Sequence, residues 1–570
     1  VTGDRTIARL WRDATAEPRP HPAYLHEVDG EWVPVSWEEA AEAVDEIANG
    51  LLALGIAKGD AFALVGRTAL EWALFDFALA LIGAVGAPIY SSSSQRDVQY
   101  VLEHSRSVGA LVEDDEIEAK VGDAVKHVVS YAGLAELRAS GRAYAGAHPS
   151  DLQERTDSID EDDLFTFIYT SGTTGPPKAC MIRHRNYYSM VQKSDEFEER
   201  LTLPGDVLLL YLPLAHNYGR LLHLSGAYIG FTTAFLSDPM QAAAELPRVR
   251  PTLFPSVPRV YEKIYATVTA RFEAETGFRR KLVDWALRVG REVSVLRQAN
   301  QPVPAGLARK HRLADRLVYS KVKERLGGRL RIANAGGAPL SRDIAEFFHS
   351  LDILILEGYG LSEVTTAATV NRPEAFKFGT VGRPMPGVEL EFEPDGEILI
   401  RSNTVFAGYY RDPEATAEAL DAEGFVHTGD IGHLDEDGFL VITDRKKDII
   451  VTAGGKNVAP QNLENELKTH AIVSQALVIG DRRPYIGVLI TLDPEAASDE
   501  PEAAVSRAVD AVNDGRSRYE QIKRFRILPR DFSLEHDELT PTLKIRRKVI
   551  LDHFAEDVEA LYSSGSKPEE

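Results

Sequence analysis

The stretch Tyr169-Thr170-Ser171-Gly172-Thr173-Thr174-Gly175-Pro176-Pro177-Lys178 follows directly on Phe165-Thr166-Phe167-Ile168, an apolar run that reads as a buried strand. Gly172 and Gly175 let the backbone turn tightly and approach an anion closely. Thr170, Ser171, Thr173 and Thr174 add four hydroxyls, and Lys178 adds charge. Those are the parts of a triphosphate cradle. A Walker A loop is excluded, because Pro176-Pro177 precede the lysine and keep the loop from running straight into a helix. A plain flexible linker explains neither the strand that enters nor the lysine that closes the stretch.

Outward from this loop, short apolar runs alternate with amphipathic ones. Trp37 to Leu54 repeats Ala40, Ala43, Val44, Ile47, Leu51 and Leu52 at helical spacing, and Ala61 to Val65 follows as a strand. Leu70 to Ile82 reads as a helix, Gly86 to Tyr90 as a strand, Val98 to His104 as a helix and Ala110 to Val112 as a strand. This βαβ order predicts doubly wound, mainly parallel sheets with helices on both faces. Val207 to Leu212, Leu330 to Asn334 and Ile353 to Leu356 are further strands that end in turns, where ligands of such sheets bind.

Near residue 380 the pattern changes. Glu389 to Arg401, broken at Pro394-Asp395-Gly396, and Phe439 to Ile442 alternate apolar and polar residues, the mark of a small antiparallel β subdomain. Beyond Asp444-Arg445-Lys446-Lys447-Asp448 a smaller α+β segment follows, with a helix over Asn462 to His470, strands over Ala476 to Ile479 and Ile486 to Leu492, and a late helix from Glu502. The expected division is 1–446 for an N-terminal domain and 447–570 for a small, mobile C-terminal one.

Composition narrows the function. With 64 basic and 87 acidic residues the net charge is −23, which argues against nucleic acid as a partner. Cys180 is the single cysteine, so no intrachain disulfide forms, which fits a cytoplasmic location. The apolar run Phe77 to Ile89 is well short of the roughly 20 residues a spanning helix needs. The N-terminal Thr2-Gly3-Asp4-Arg5 does not read as a signal peptide. No basic amphipathic helix stands out, so membrane contact is expected to be peripheral at most.

The loop at 169–178 resembles the signature of the adenylate-forming superfamily, which includes acyl-CoA ligases, firefly luciferase and peptide-synthetase adenylation domains. Further segments resemble its other motifs in the expected order. The resemblance departs at Ala179, where the family usually has glycine; if that position needs positive φ, alanine is strained and ATP affinity suffers.

The resemblance implies ATP, Mg²⁺ and coenzyme A as cofactor and co-substrates, and assigns roles. Thr170 to Gly175 and Lys178 would hold the triphosphate. Leu212-Pro213-Leu214-Ala215-His216 would place His216 between acyl pocket and α-phosphate. Asn334 to Pro339, with Gly337, Ala338 and Pro339, would form the adenine turn. In Glu357-Gly358-Tyr359-Gly360-Leu361-Ser362-Glu363, Tyr359 would stack on adenine, Ser362 would bond the α-phosphate and Glu363 would hold Mg²⁺. Asp430, in His427-Thr428-Gly429-Asp430, would take the ribose hydroxyls, with Arg445 in support. Lys447 would be a hinge, Gly454 and Gly455 would line the pantetheine path, and Lys544, ending Leu539-Thr540-Pro541-Thr542-Leu543-Lys544, would reach the reacting carboxylate and phosphates.

Arg220, four residues after His216, with Ser256 to Lys263 and Asp444 to Pro460, are most similar to long-chain fatty acid–CoA ligases. The expected activity is therefore ATP-dependent conversion of a long- or medium-chain fatty acid to acyl-AMP and then to its CoA thioester. A carrier-protein acceptor, a non-fatty acid and a non-catalytic nucleotide-binding role are the alternatives. Acyl chain length is not readable, and a homodimer is compatible with the sequence.

Overall fold

Strand Leu164–Thr170 is the fifth of six in one sheet. In spatial order the sheet runs His127–Ser130, Gly109–Val112, Ala61–Val65, Val85–Ile89, Leu164–Thr170 and Lys178–Arg183. The first five strands are parallel and the last turns back antiparallel, so the loop between the last two is the tip of a hairpin. The computed structural model describes residues 5–170, 176–196, 200–494, 496, 499–533, 535–540 and 544–563. Ser171, Gly172, Thr173, Thr174 and Gly175 of the expected cradle, and Pro541-Thr542-Leu543, therefore lie outside the described residues.

A second sheet has nine strands. Ile355–Tyr359, Ile332–Ala335, Leu253–Ser256, Val207–Leu210, Thr232–Phe235 and Tyr24–Val28 are parallel at its centre, with short antiparallel strands at both edges. Both sheets share one continuous apolar core with helices Trp37–Ala53, Leu70–Ile82 and Asn217–Ile229. Helix Leu70–Ile82 is apolar all round because it is buried all round; the one charge it holds inside, Asp76, meets Arg220 of helix Asn217–Ile229. Arg220 also donates to the Thr166 hydroxyl at 2.5 Å and lies over the rings of Phe165 and Trp72. The residue that resembled a branch marker is thus a buried tie between the two sheets.

The alternating stretch forms a four-stranded antiparallel sheet, Glu389–Phe392, Glu397–Arg401, Val426–Leu434 and Leu440–Arg445. Beyond it, Val473–Ile479, Ile486–Leu492 and Ile522–Ile527 form a three-stranded sheet with its own apolar clusters against helices Pro460–Leu467 and Pro501–Asn513. The whole is an α/β body with a small β subdomain and a C-terminal α+β module. Arg259 donates to the Ser474 carbonyl and hydroxyl at 2.8 Å each, and Lys468 pairs with Glu262 at 3.2 Å, fixing the module against the body.

Two expectations are corrected. Ala179 lies inside strand Lys178–Arg183, paired with Tyr169, and is not among the described residues with positive φ. Its methyl packs with Ala61, Val85, Ala87 and Phe167, so it is unstrained. A basic two-faced helix does exist, Gly277–Gln298. Its cations are the run Arg279-Arg280-Lys281 followed by Arg288, Arg291 and Arg297, set among valines and leucines. No helix among the described residues is long and apolar enough to cross a membrane.

Candidate active site

Lys178 opens its strand where the hairpin returns, and Thr170 reaches the Lys178 carbonyl at 3.4 Å. Helix Gln95–Ser105 grips both ends of the loop: His104 bonds the Tyr169 hydroxyl at 3.0 Å, and Tyr100 donates to the Pro177 carbonyl at 3.1 Å. Burial, then Arg411, lowers the His104 pKa, so this contact is made by a neutral ring.

The segment at 407–410 runs along strand Lys178–Arg183, with Met181 donating to the Gly408 carbonyl and Tyr410 to the Ala179 carbonyl, each at 2.9 Å. That pairing sets Tyr409 between two expected site residues. Its hydroxyl donates to Glu363 Oε1 at 2.6 Å, and the Lys178 ammonium lies 5.2 Å from its ring centre. Burial, then the Glu363 charge, pushes the Tyr409 pKa up, so the phenol stays a donor. Glu363 is therefore held by a side chain from another segment rather than serving as a helix cap.

Ser362 and Glu363 occupy a short 3₁₀ turn, Ser362–Val364. Thr365 and Thr366 follow at φ 54° and 96°, an unfavourable backbone for β-branched residues. It is held from outside: Thr365 donates to the Thr404 carbonyl at 2.6 Å and Thr366 to the Asn217 carbonyl at 3.3 Å. Asn217 also donates to the Ser362 carbonyl at 3.4 Å and accepts from Tyr187 at 2.6 Å. His216, one residue earlier, caps helix Asn217–Ile229 through Nδ1, which accepts from the Tyr218 amide at 3.1 Å. Burial, then nearby Lys544, lowers its pKa to about 3, so it faces the cleft neutral.

The expected adenine turn leaves strand Ile332–Ala335. Gly336 lies against the Tyr218 ring, where an added methyl would sit 3.3 Å away, and Gly337 turns at φ 84°. Glu357, in the middle of the next strand, accepts from the Leu340 amide at 3.0 Å and pins the turn. Its other oxygen has no hydrogen-bond partner among the described residues, and burial raises its pKa to about 7 in spite of that amide. Glu357 is thus a buried support behind Gly337, Ala338 and Pro339.

Tyr359 donates to Asp430 at 2.6 Å, and Arg445 pairs with the other Asp430 oxygen at 3.2 Å. Asp430 is almost fully buried, and its strand pairs register Asp430 with Arg445. From the C-terminal module, Lys544 reaches the same cleft: its Cε would stand 3.9 Å from a methyl placed on Gly337. The residue as a whole keeps exposed surface, while protein crowds its ammonium. Burial, then Arg445, lowers its pKa to about 8 against the pull of Asp430 and Glu363. Its amide donates to the Thr540 hydroxyl at 3.0 Å, and the Thr540 amide donates to its carbonyl at 2.8 Å.

Lys178, His216, Gly337, Ser362, Glu363, Tyr359, Asp430, Arg445 and Lys544 therefore share one cleft. Gly454 and Gly455 do not; they are exposed in a turn tied to Thr452 and, through Ala453, to Arg483. Lys447 is exposed, two residues after Arg445. Tyr409, Asn217 and the clamp of Tyr100 and His104 were not singled out in the sequence. An aromatic after glycine, or a histidine on an amphipathic helix, reads there as core. Among the described residues no three histidines, cysteines or carboxylates gather as a metal cluster.

The AMP-binding enzyme family matches residues 10–410, and the AMP-binding enzyme C-terminal domain matches 447–566. The long-chain-fatty-acid–CoA ligase FadD15 of Mycobacterium bovis is 39% identical over 98% of this chain and 97% of its own length. The long-chain-fatty-acid–CoA ligase ACSBG2 of Xenopus laevis is 30% identical over 99% of this chain and 85% of its own. The adenylation domain of a Mycobacterium chelonae carboxylate reductase shares the fold with a TM-score of 0.78 at 24% identity, covering 98% of this chain and 91% of that one. The corresponding domain from Segniliparus rugosus, in complex with AMP and a co-purified carboxylic acid, gives 0.74 at 22%, covering 98% and 94%.

Proposed function

The chain belongs to the AMP-binding enzyme family, and on that premise we propose that it is a long-chain fatty acid–CoA ligase: it joins a fatty acid to AMP at the expense of ATP, then passes the acyl group to coenzyme A. The observation that carries this reading is the meeting of Lys544 with Glu363, Asp430 and Arg445 in one cleft.

Carboxylate and ATP are both anionic and must be held in line before they react. Lys544 and Lys178 supply positive charge where it builds on the carboxylate and phosphates as the acyl–phosphate bond forms and pyrophosphate leaves. Neutral His216 and the Ser362 turn border that point without adding charge. Asp430, with Arg445 behind it, offers acceptors for ribose hydroxyls, and Tyr359 and the Gly336–Gly337 turn offer flat surfaces for adenine. A single carboxylate held at one oxygen suits Mg²⁺, which takes one or two carboxylates and otherwise phosphate oxygens. Glu363 would hold it, and the ion would neutralise triphosphate charge.

In this reading Lys447 is the hinge at the division between 1–446 and 447–570. Rotation about it withdraws Lys544 and brings the exposed Gly454-Gly455 turn to the cleft, where the coenzyme A thiol attacks the acyl carbonyl and AMP departs. Cytoplasmic location and a homodimer belong to the same proposal. ATP–pyrophosphate exchange with a series of fatty acids, followed by AMP release with and without coenzyme A, tests it. Exchange plus coenzyme-A-dependent AMP release supports the ligase. Exchange alone points to a carrier-protein acceptor, and no exchange with any acid overturns adenylation.

A further inference from the structure

The chain as a whole carries a net charge of −23, yet residues 277–329 hold fourteen lysines and arginines against four aspartates and glutamates. They fold as helix Gly277–Gln298, helix Ala305–Ala314, the π-turn Asp315–Tyr319 and helix Ser320–Arg325. The inner stripe of the first helix, Val283, Ala286, Val289, Gly290 and Val293, is buried. Gly290 lies so close to the Ser350 carbonyl that a methyl there would stand 2.1 Å away. The hairpin is therefore fixed to the body, and its outer side is a defined surface.

On that surface cations alternate with bare apolar side chains. Lys281, Arg288 and Arg291 share the outer stripe of the first helix with Phe278 and Val295, which are 80% and 63% exposed. Arg309, Lys310 and Arg316 share the next with Leu313, 51% exposed, and Leu317. These six cations form no ion pair with a described residue, whereas Arg280, Arg297 and Lys323 are matched by Asp284, Asp352 and Asp315. Between the helices a groove of about 620 Å³ joins the stripes, with Val295, Leu296 and Leu307 in its walls and Arg288, Arg291 and one acid, Glu292, at its rim.

We propose that this hairpin is a docking face for an anionic lipid bilayer. Phosphate headgroups match the unpaired cations, and Phe278, Val295, Leu313 and Leu317 enter the headgroup layer beside them. A soluble polyanion such as nucleic acid would reward the cations and leave the phenylalanine and leucines in water, so the pattern favours lipid. The charge is local: the rest of the acidic surface is repelled by the same bilayer, which orients the protein with this face down. Drawing a fatty acid from the bilayer would be the use of such docking; that clause alone rests on the proposed function.

The test is flotation of the full chain with vesicles of phosphatidylcholine alone and of phosphatidylcholine mixed with phosphatidylglycerol. The expected result is capture by the mixed vesicles only, falling at least about tenfold when salt is raised past the point where the screening length drops below roughly 8 Å. Arg288→Glu with Arg291→Glu and Lys310→Glu should abolish capture, and Phe278→Ser with Leu313→Ser should lower it severalfold at unchanged net charge. Both variants should keep ATP–pyrophosphate exchange on acid supplied in solution, which separates failed docking from failed folding. Equal capture by neutral vesicles, no capture by either, undiminished capture of either variant, or retention on heparin without vesicle binding overturns the proposal.

Discussion

The Tyr409 hydroxyl donates to Glu363 Oε1 at 2.6 Å while the Tyr409 ring faces the Lys178 ammonium at 5.2 Å. One side chain thereby contacts both the carboxylate proposed for Mg²⁺ and the lysine that ends the proposed phosphate loop. Tyr409→Phe keeps the ring and removes the bond to Glu363. A hydrogen bond to a charged group contributes about 1.5–3 kcal/mol, so adenylation should slow roughly tenfold or more. The Mg²⁺ concentration giving half-maximal ATP–pyrophosphate exchange should rise with it. An unchanged Mg²⁺ requirement would show that Glu363 does not depend on Tyr409.

The contacts of Arg259 with Ser474, and of Lys468 with Glu262, belong to the pose in which Lys544 reaches the cleft. Arg259→Ala removes two of them without touching the cleft. The first half-reaction should slow about five- to tenfold, as expected for two hydrogen bonds of about 1 kcal/mol or less each. Transfer from supplied acyl-AMP to coenzyme A should be unaffected. Equal slowing of both steps, measured by single-turnover kinetics, would contradict a pose-specific contact.

These residues mark what was legible in the chain. Lys178, Glu363, Asp430, Arg445 and Lys544 stand in short motifs with distinctive neighbours, so their spacing along the chain is informative. The same holds for the parallel strands, whose apolar runs end in glycine turns. Tyr409 and Asn217 act through partners 46 and 145 residues away, Glu363 and Ser362, and no local pattern encodes such pairs. The basic hairpin does not show in the composition because the acidic total hides it, although Arg279-Arg280-Lys281 and Arg309-Lys310 stand side by side in the chain. Ala179 was misjudged because its backbone angle depends on the hairpin pairing, which only the fold supplies.

Asp76 and Arg220 make a fully buried pair between helices Leu70–Ile82 and Asn217–Ile229. Removing one partner strands the other charge in the core, so Asp76→Ala should cost about 3–5 kcal/mol in urea unfolding. Replacing both, Asp76→Leu with Arg220→Met, should recover most of that. If the double variant is no more stable than the single, the pair holds the fold by its geometry rather than by mutual neutralisation.

Burial, then Arg445, lowers the Lys544 pKa to about 8 in the free protein. The protonated form is the one that can stabilise developing negative charge. The kcat/KM for ATP, which reports the free enzyme, should therefore be level below that value and fall as pH rises through about 8. Bound triphosphate favours the charged ammonium, so the kcat limb should lie at higher pH. Lys544→Arg should remove the kcat/KM limb while lowering the rate, because a guanidinium does not titrate there. A limb that persists in that variant belongs to another group.

Ala179 is 1% exposed, strand-paired with Tyr169 and packed on Ala61, Val85, Ala87 and Phe167. Ala179→Gly would bring the chain to the family's usual residue, yet it relieves no strain here. It adds backbone freedom to the unfolded chain and removes a buried methyl, which together should cost about 1 kcal/mol or slightly more. Thermal or urea unfolding should register that loss while the KM for ATP stays within about twofold, since a shift of that size is only ~0.4 kcal/mol. A clear gain in ATP affinity would mean that the hairpin opens on binding, and that the strand pairing of Ala179 is what resists it.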